Sequence, residues 1–333
     1  MENKLITSLN KFYSLDITRI VAKAKGGFLS DNMIVANKDQ KFFLRKYRDK
    51  YSSDDIASIH KSKQFFFEHG IPIIMPIKTV NGDTFVEITG KFYGLFPFIE
   101  EKDINRNKLN DDVLISIAQM QAKMHLLSKD GTPKVTVESK NVWDKKKSLQ
   151  MAKEFGKIIS QKKLLNGFDR LARKFIRLKK KIIEENKLKF EDLNIRSDHL
   201  VHGDFHAGNL FYDDNDTVKY VFDLEKTIFA PRAFELVRSI IFICFSKGFE
   251  KGMEKAGLYL KAYHKIYPIS DSEFRAGFLM RYLDMAHSFW IEEHHYLKKY
   301  YKTDVLYRDD FIKLEYFSRD IKGVIRRILK NAK

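Results

Sequence analysis

The stretch LVHGDFHAGNL, residues 200–210, sets Asp204 and Asn209 five positions apart, with His202, Gly203, His206 and Gly208 around them and apolar residues on either side. A plain strand or helix is not built this way, so the segment reads as a loop carrying side chains for chemistry. Just downstream, NLFYDDNDTVKYVFDLE reads as a hairpin: two alternating apolar strands, an Asp/Asn-rich turn, and an end on Asp223 and Glu225. Asp204, Asn209 and Asp223 thus fall at the ends of short strands that a loop and a hairpin can bring together. Oxygen ligands of this kind suit a hard cation such as Mg²⁺, which takes carboxylate and amide oxygens and completes its shell with phosphates or water. A carboxylate that does not ligate the cation can accept the proton of an attacking hydroxyl. Jointly they are the parts needed for phosphoryl transfer. One Asp or Asn in a turn would be an ordinary turn-former bonding its own backbone.

The elements that must position these side chains differ along the chain. From about residue 15 to 100, short strand-like runs (RIVAKA, NMIVAN, KFFLRKY, TFVEI and FYGLFPFI) alternate with the turns KGG, NKDQ and NGD. One helix interrupts them, SSDDIASIHKSKQFFFEHG, with Ser52 or Ser53 as N-cap, Asp54 and Asp55 in its first turn, Gly70 past its end and Pro72 barring continuation. From about residue 108 helical patterns dominate, beginning with NDDVLISIAQMQAKMHLLS. The strong β signals there are HLVHGD, NLFYDD and VKYVFDL. The charged, apolar-poor stretch near 129–148 is expected to be a long loop, and no internal repeat is visible.

At these residues the chain resembles the aminoglycoside phosphotransferase and choline kinase type of the protein-kinase-like superfamily. HGDFHAGNL looks like that family's catalytic loop, with the Asp-to-Asn spacing that protein kinases also use, and VFDLE, fourteen residues beyond Asn209, is similar to its metal-binding segment. The resemblance implies Asp204 as catalytic base and Asn209 and Asp223 as Mg²⁺ ligands, with ATP or GTP as phosphoryl donor. In PRAFELVRSI the family commonly has an Asp where Glu235 stands; Glu235 would brace the catalytic loop from the following helix. His202 and His206 are expected to hold the loop by hydrogen bonds rather than to act as bases.

The resemblance extends into the first hundred residues. AKGGFLSDNMIV is similar to the glycine turn that covers nucleotide phosphates, where Gly26 and Gly27 let backbone N–H groups approach oxygen. KFFLRKY stands where the family carries a phosphate-gripping Lys; here Arg45 occupies the position with Lys46 beside it. Strand alternation sends the two to opposite faces, and Arg45 is the one expected inward. The family's acid on the following helix would fall at Ile59, His60 or Lys61, none of which is acidic, so Asp55, Glu68 or the phosphate itself would have to hold Arg45. YGLFPFIEEKDI resembles the hinge, with backbone around Phe96 and Phe98 meeting adenine; core packing is the other reading of those rings. The implied fold is α+β, bilobal and protein-kinase-like. It has a β-rich nucleotide lobe over 1–98 and a helical catalytic and acceptor-binding lobe over 99–333.

Composition limits the remaining choices. With 333 residues, 44% hydrophobic and 14% aromatic, the chain has enough apolar mass for a large core in two lobes. The formal charge of +17 comes from Lys and Arg scattered over helix faces such as LARKFIRLKKKIIEENKLKF, and no recognition motif accompanies it, so nucleic acid is not an expected partner. The single cysteine, Cys244, lies in the apolar run SIIFICF and suits a core position in a reducing compartment. No run approaches the roughly 20 apolar residues of a membrane span, and no targeting segment opens the chain, so the cytoplasm is the expected location.

The acceptor is less legible. RYLDMAHSFWIEEHHYLKKYY, residues 281–301, reads as one helix; from it Asp284 could bind an ammonium group and Trp290 could cover a sugar ring or quaternary amine. Equally, Leu283, Phe289 and Tyr296 could be core with the acids solvated. His294 and His295, being adjacent, diverge on a helix and are not spaced for a metal. The leading expectation is an ATP-dependent kinase acting on the hydroxyl of an aminoglycoside, homoserine, choline, ethanolamine or sugar. The alternative is a catalytically degenerate, kinase-like binding or structural protein of spore-coat type, suggested by Arg45 and the missing helix acid.

Overall fold

The computed structural model describes residues 2–24, 31–100, 104, 109–135 and 143–333. These residues form the α+β architecture expected, an antiparallel sheet early in the chain followed by a helical majority. They fall into two compact units, one of 1–138 with 200–228 and one of 139–199 with 229–333.

The first unit opens with helix α1 (Glu2–Tyr13), followed by strands β1 (Arg19–Lys23), β2 (Met33–Ala36) and β3 (Lys41–Lys46), helix α2 (Ser53–Glu68), and strands β4 (Val86–Ile88) and β5 (Lys91–Pro97). The five strands form one antiparallel sheet in the order β1-β2-β3-β5-β4. Period-two alternation divides β3 cleanly: Phe42 and Leu44 enter an apolar core with Val35, Tyr93, Leu95 and the α1 residues Leu9 and Tyr13, while Phe43 and Arg45 point to the other face. Helix α1 had no counterpart in the sequence reading; it is held by burying Leu9 and Tyr13 against the sheet rather than by a cap signal. Of the two N-cap candidates on α2, Ser52 is the cap. Its hydroxyl accepts the Asp55 N–H at 3.2 Å, and the Asp55 carboxylate takes the Ser52 N–H at 2.8 Å. The same unit holds α3 (Asp111–Leu127) and the hairpin β7 (Leu210–Tyr212) with β8 (Val218–Val221), antiparallel as the pattern predicts. A bridge from Ile73 to Val221, with the Val221 N–H donating to the Pro72 carbonyl at 2.9 Å, pins this hairpin to the chain leaving α2.

The second unit is helical: α4 (Lys145–Ser160), α5 (Gly167–Glu185), α6 (Arg232–Cys244), α7 (Phe249–Ile266), α8 (Asp271–His287), the single turn α9 (Trp290–Glu292) and α10 (Tyr307–Asn331). Strands β6 (His199–Val201) and β9 (Ile228–Ala230) are three residues each, at the borders between units. Because α4 starts at Lys145, it takes in the last residues of the loop expected over 129–148. Cys244 is buried on α6. No helix among the described residues is long and apolar enough to cross a membrane.

The single helix expected over 281–301 is not formed. Helix α8 stops at His287, Ser288 turns extended (φ −87°, ψ 121°), and the chain resumes as α9 and a π-helical turn, Glu293–Leu297. The cause is a buried polar cluster. The Lys179 ammonium, arriving from α5, takes the Ser288 carbonyl and the Glu292 carboxylate, each at 2.6 Å, and the Tyr307 hydroxyl donates to that carboxylate at 2.8 Å. Lys179 and Glu292 side chains are 3% and 1% exposed, so each charge depends on the other. Lys179→Met should therefore lower unfolding free energy by about 3–5 kcal/mol in urea melts, and adding Glu292→Met should recover most of the loss. A double variant no more stable than the single one would show that the pair is not what holds the break.

Candidate active site

The loop of residues 202–209 is fixed from both ends by its own polar groups. Gly203 has φ +78°, and a Cβ there would lie 1.8 Å from the Lys226 carbonyl oxygen, so only glycine lets the two backbones come this close. His202, buried, donates from Nε2 to the Phe222 carbonyl at 2.8 Å, which leaves Nδ1 to accept the Asp204 N–H at 3.3 Å. Asn209, also buried, donates from Nδ2 to the Asp204 carbonyl at 2.9 Å, and its own carbonyl accepts the Phe222 N–H at 3.1 Å. That use of Nδ2 fixes the amide's orientation and leaves Oδ1 as its acceptor atom. His206 accepts the Gly208 N–H at 3.1 Å, and its Nε2 lies 3.8 Å from an Asp204 carboxylate oxygen. Asp204 is also paired with Lys226, at 2.6 Å.

Asp223 follows the hairpin in the left-handed region, φ 63° and ψ 48°, which turns its carboxylate out of strand register. One guanidinium nitrogen of Arg45 lies 2.8 Å from Asp223 Oδ1 and also bonds the Glu225 carboxylate. Burial pulls the Arg45 guanidinium towards neutrality, but the two carboxylates overcome this and raise its pKa. Burial likewise works to raise Asp223, and the charge and hydrogen bond of Arg45 outweigh it, holding the carboxyl below its ordinary range. The Tyr51 hydroxyl donates to the Glu225 carbonyl at 3.0 Å and fastens this turn from the segment between β3 and α2.

Beside this cluster lies a cavity walled by aromatic rings, Phe43, Phe96, Phe98 and Phe222 among them, with Arg45, Lys63 and Asp223 supplying its charged groups. Lys46, next to Arg45 on β3, points elsewhere, 3.8 Å from Asp31. The carboxylates on Arg45 come from neither acid considered on α2: Asp55 is spent on the helix cap, and Glu68 accepts from Gln64 at 2.7 Å. What α2 brings to the cavity is Lys63, 3% exposed, its ammonium 4.6 Å from the centroid of Phe96. Burial, and then the positive Arg45, push this ammonium down to about 8. His60, one turn earlier, hydrogen-bonds Tyr47 at 2.6 Å and Thr84 at 2.7 Å. Burial, with Lys63 and Arg45, pushes it down to about 2, so it is a neutral structural group.

Asp204, Asn209, Asp223, His202, Arg45, Phe96 and Phe98 thus share one compact unit, while Gly26 and Gly27 lie outside the described residues. Glu235, buried in the first turn of α6, and Asp284 and Trp290 belong to the other unit. There Asp284 pairs with Arg281, three residues back on α8, and Trp290 meets the His294 ring edge-on. Glu225, Lys226 and Lys63 had no assigned part in the sequence reading. Glu225 and Lys226 stood beside a named residue in VFDLEK, but the αL turn at Asp223 that aims them has no marker in the sequence. Among the described residues no three His, Cys, Asp or Glu side chains could hold a metal ion by themselves. The oxygens of Asn209 and Asp223 are the donor types a cation sharing its shell with phosphates would take.

The tight approach at Gly203 gives a direct test. Gly82 also has a positive φ, +88°, but a Cβ there meets nothing within 4 Å, so Gly82→Ala should cost about 1 kcal/mol of backbone strain alone. Gly203→Ala adds a collision with backbone and should cost clearly more in urea unfolding. Equal losses would mean that the loop yields easily and is not held as described.

The sequence pattern of the phosphotransferase enzyme family, APH, matches residues 21–278. A homoserine kinase of Bartonella henselae is 25% identical over 260 residues, covering 76% of this chain and 74% of that protein. Two solved structures share the fold over nearly the whole length. A spectinomycin phosphotransferase in complex with ADP and spectinomycin has a TM-score of 0.61 at 14% identity, covering 99% of this chain and 98% of that one. A microcompartment-associated aminopropanol kinase has a TM-score of 0.64 at 14% identity, covering 98% and 100%. With that pattern running through the sheet, the loop of Asp204 and Asn209 and the turn of Asp223, the chain belongs to the APH phosphotransferase enzyme family.

Proposed function

We propose that the chain is a cytoplasmic ATP-dependent kinase that transfers the γ-phosphate to a hydroxyl of a small amine-bearing acceptor, an amino alcohol or aminoglycoside-like molecule. The observation that carries this reading is the gathering of Asp204, Asn209 and Asp223 with Arg45 in one unit of a phosphotransferase-family chain. Asp204 is the base that takes the hydroxyl proton as the oxygen attacks. Asn209 Oδ1 and the ionised Asp223 would hold Mg²⁺, whose charge would offset that of the phosphate oxygens. Arg45 meets the phosphates and the aromatic cavity takes the base of the nucleotide, with Phe96 and Phe98 at its edge. Gly26 and Gly27 cover the phosphates, His202 keeps the loop in register, and Glu235 braces it. Functionally, residues 1–98 serve the nucleotide and 99–333 the catalysis and acceptor, with Asp284 and Trp290 as the acceptor's contacts. Homoserine, aminopropanol and spectinomycin, named for the similar proteins, each join a hydroxyl to an amine, which is what favours an ammonium-bearing acceptor here.

Asp204→Asn should lower turnover by about 10²- to 10⁴-fold while Mg-ATP affinity by calorimetry stays close to wild type, since the base meets the acceptor and not the nucleotide. Asp223→Ala should instead abolish Mg-dependent ATP binding. If Asp204→Asn turned over normally on an acceptor found by screening amino alcohols and aminoglycosides, the base assignment would fail. Tight nucleotide binding by the wild type with no transfer to any acceptor would favour a kinase-like binding protein.

A further inference from the structure

Lys63 is a buried cation that the chemistry above does not use. Its side chain lines the cavity from α2, in the same wall set as Arg45, Asp223 and Phe96. Among the described residues its ammonium has no hydrogen-bond or ion-pair partner; its company is the Phe96 ring and the more distant charges of Arg45, Glu225 and Asp223. Both of those carboxylates are already bonded to Arg45. A Lys at 3% exposure without an anion is costly, and its neighbours His60, Ser62 and Ile59 are buried without offering one. The group that would offset it must come from the ligand, be anionic, and lie in the same cavity.

We propose that Lys63 is a second phosphate-binding cation of this site, delivered by α2, which contacts phosphate oxygens of a nucleoside di- or triphosphate beside Arg45. The proposal rests on the nucleotide-site reading above. It also fits the missing acid on α2: with Arg45 partnered by Asp223 and Glu225, an acid on the helix is not needed, and Lys63 adds a donor to the phosphates instead. Lys63 thereby distinguishes phosphorylated from unphosphorylated nucleosides, a discrimination that the aromatic walls, which see only the base, do not make.

Calorimetry with ADP and with adenosine on the full chain separates the possibilities. Lys63→Met should weaken ADP by about ten- to a hundredfold and leave adenosine within about twofold, Lys63→Arg should recover most of the ADP affinity, and Lys61→Met, exposed on the same helix, should change neither. Because an unpaired buried charge is removed, the thermal midpoint of Lys63→Met should be no lower than that of wild type. Unchanged ADP affinity, or equal loss of ADP and adenosine, would overturn the phosphate contact. A wild-type chain that binds neither ligand would overturn the nucleotide-site reading itself and this proposal with it.

Discussion

Arg45 sits on the central strand of the sheet with its side chain 8% exposed, and a guanidinium in that position cannot be left without carboxylates. It finds two, Asp223 and Glu225, on a turn that lies 178 and 180 residues further along the chain. Removing both of these acids would leave the buried guanidinium uncompensated, at a cost of about 3–5 kcal/mol, which is a large share of a domain's net stability. Sheet face, hairpin and turn are therefore coupled. Alternation on β3 has to send Phe42 and Leu44 into the core for Arg45 to face the cavity, and the bridge from Ile73 to Val221 has to hold the hairpin for Asp223 to meet it. The left-handed turn at Asp223 completes the arrangement by presenting two acids, at 223 and 225, to one cation.

The same pairing prepares Asp223 for the role proposed for it. A carboxylate removed from water tends to hold its proton, and a protonated acid is a poor ligand for Mg²⁺; the positive Arg45 reverses that tendency and keeps Asp223 ionised. The presence of Glu225, 11% exposed at its side chain, then becomes important. When a cation engages Asp223, Arg45 still has a carboxylate, so its charge is never stranded and the guanidinium keeps its direction towards phosphate. One acid alone would have to choose between cation and arginine.

Much of this could be read from the chain, and the reasons for the rest are specific. The strands of the sheet, the Ser52 cap, the hairpin and the Asp204–Asn209 loop rest on local signals of alternation, capping and turn chemistry, which survive folding because the tertiary structure agrees with them. Helix α1 and the break after His287 rest on long-range burial. Leu9 and Tyr13 find the sheet, and Lys179 reaches Ser288 across 109 residues, so neither left a mark in its own neighbourhood. Lys63 is the sharpest case. By type it belongs on a solvated face, and only the packing of α2 shows that position 63, rather than 61, turns inward.

The second unit contains two acids whose energetics point to different uses. Glu292 is 1% exposed and bonded to Lys179 and Tyr307, so releasing it to a ligand would strand a buried ammonium. Asp284 and its partner Arg281 are each 21% exposed and neighbours on one helix, so this pair keeps contact with water that Glu292 lacks. An incoming cation could share Asp284 with Arg281 through that exposed face, whereas engaging Glu292 would strand the Lys179 ammonium. The helix break reinforces the difference, because the Lys179 cluster that ends α8 ties Glu292 inward while Trp290 begins a new turn. Of these two acids, Asp284 is therefore the one an ammonium group could engage at the smaller cost.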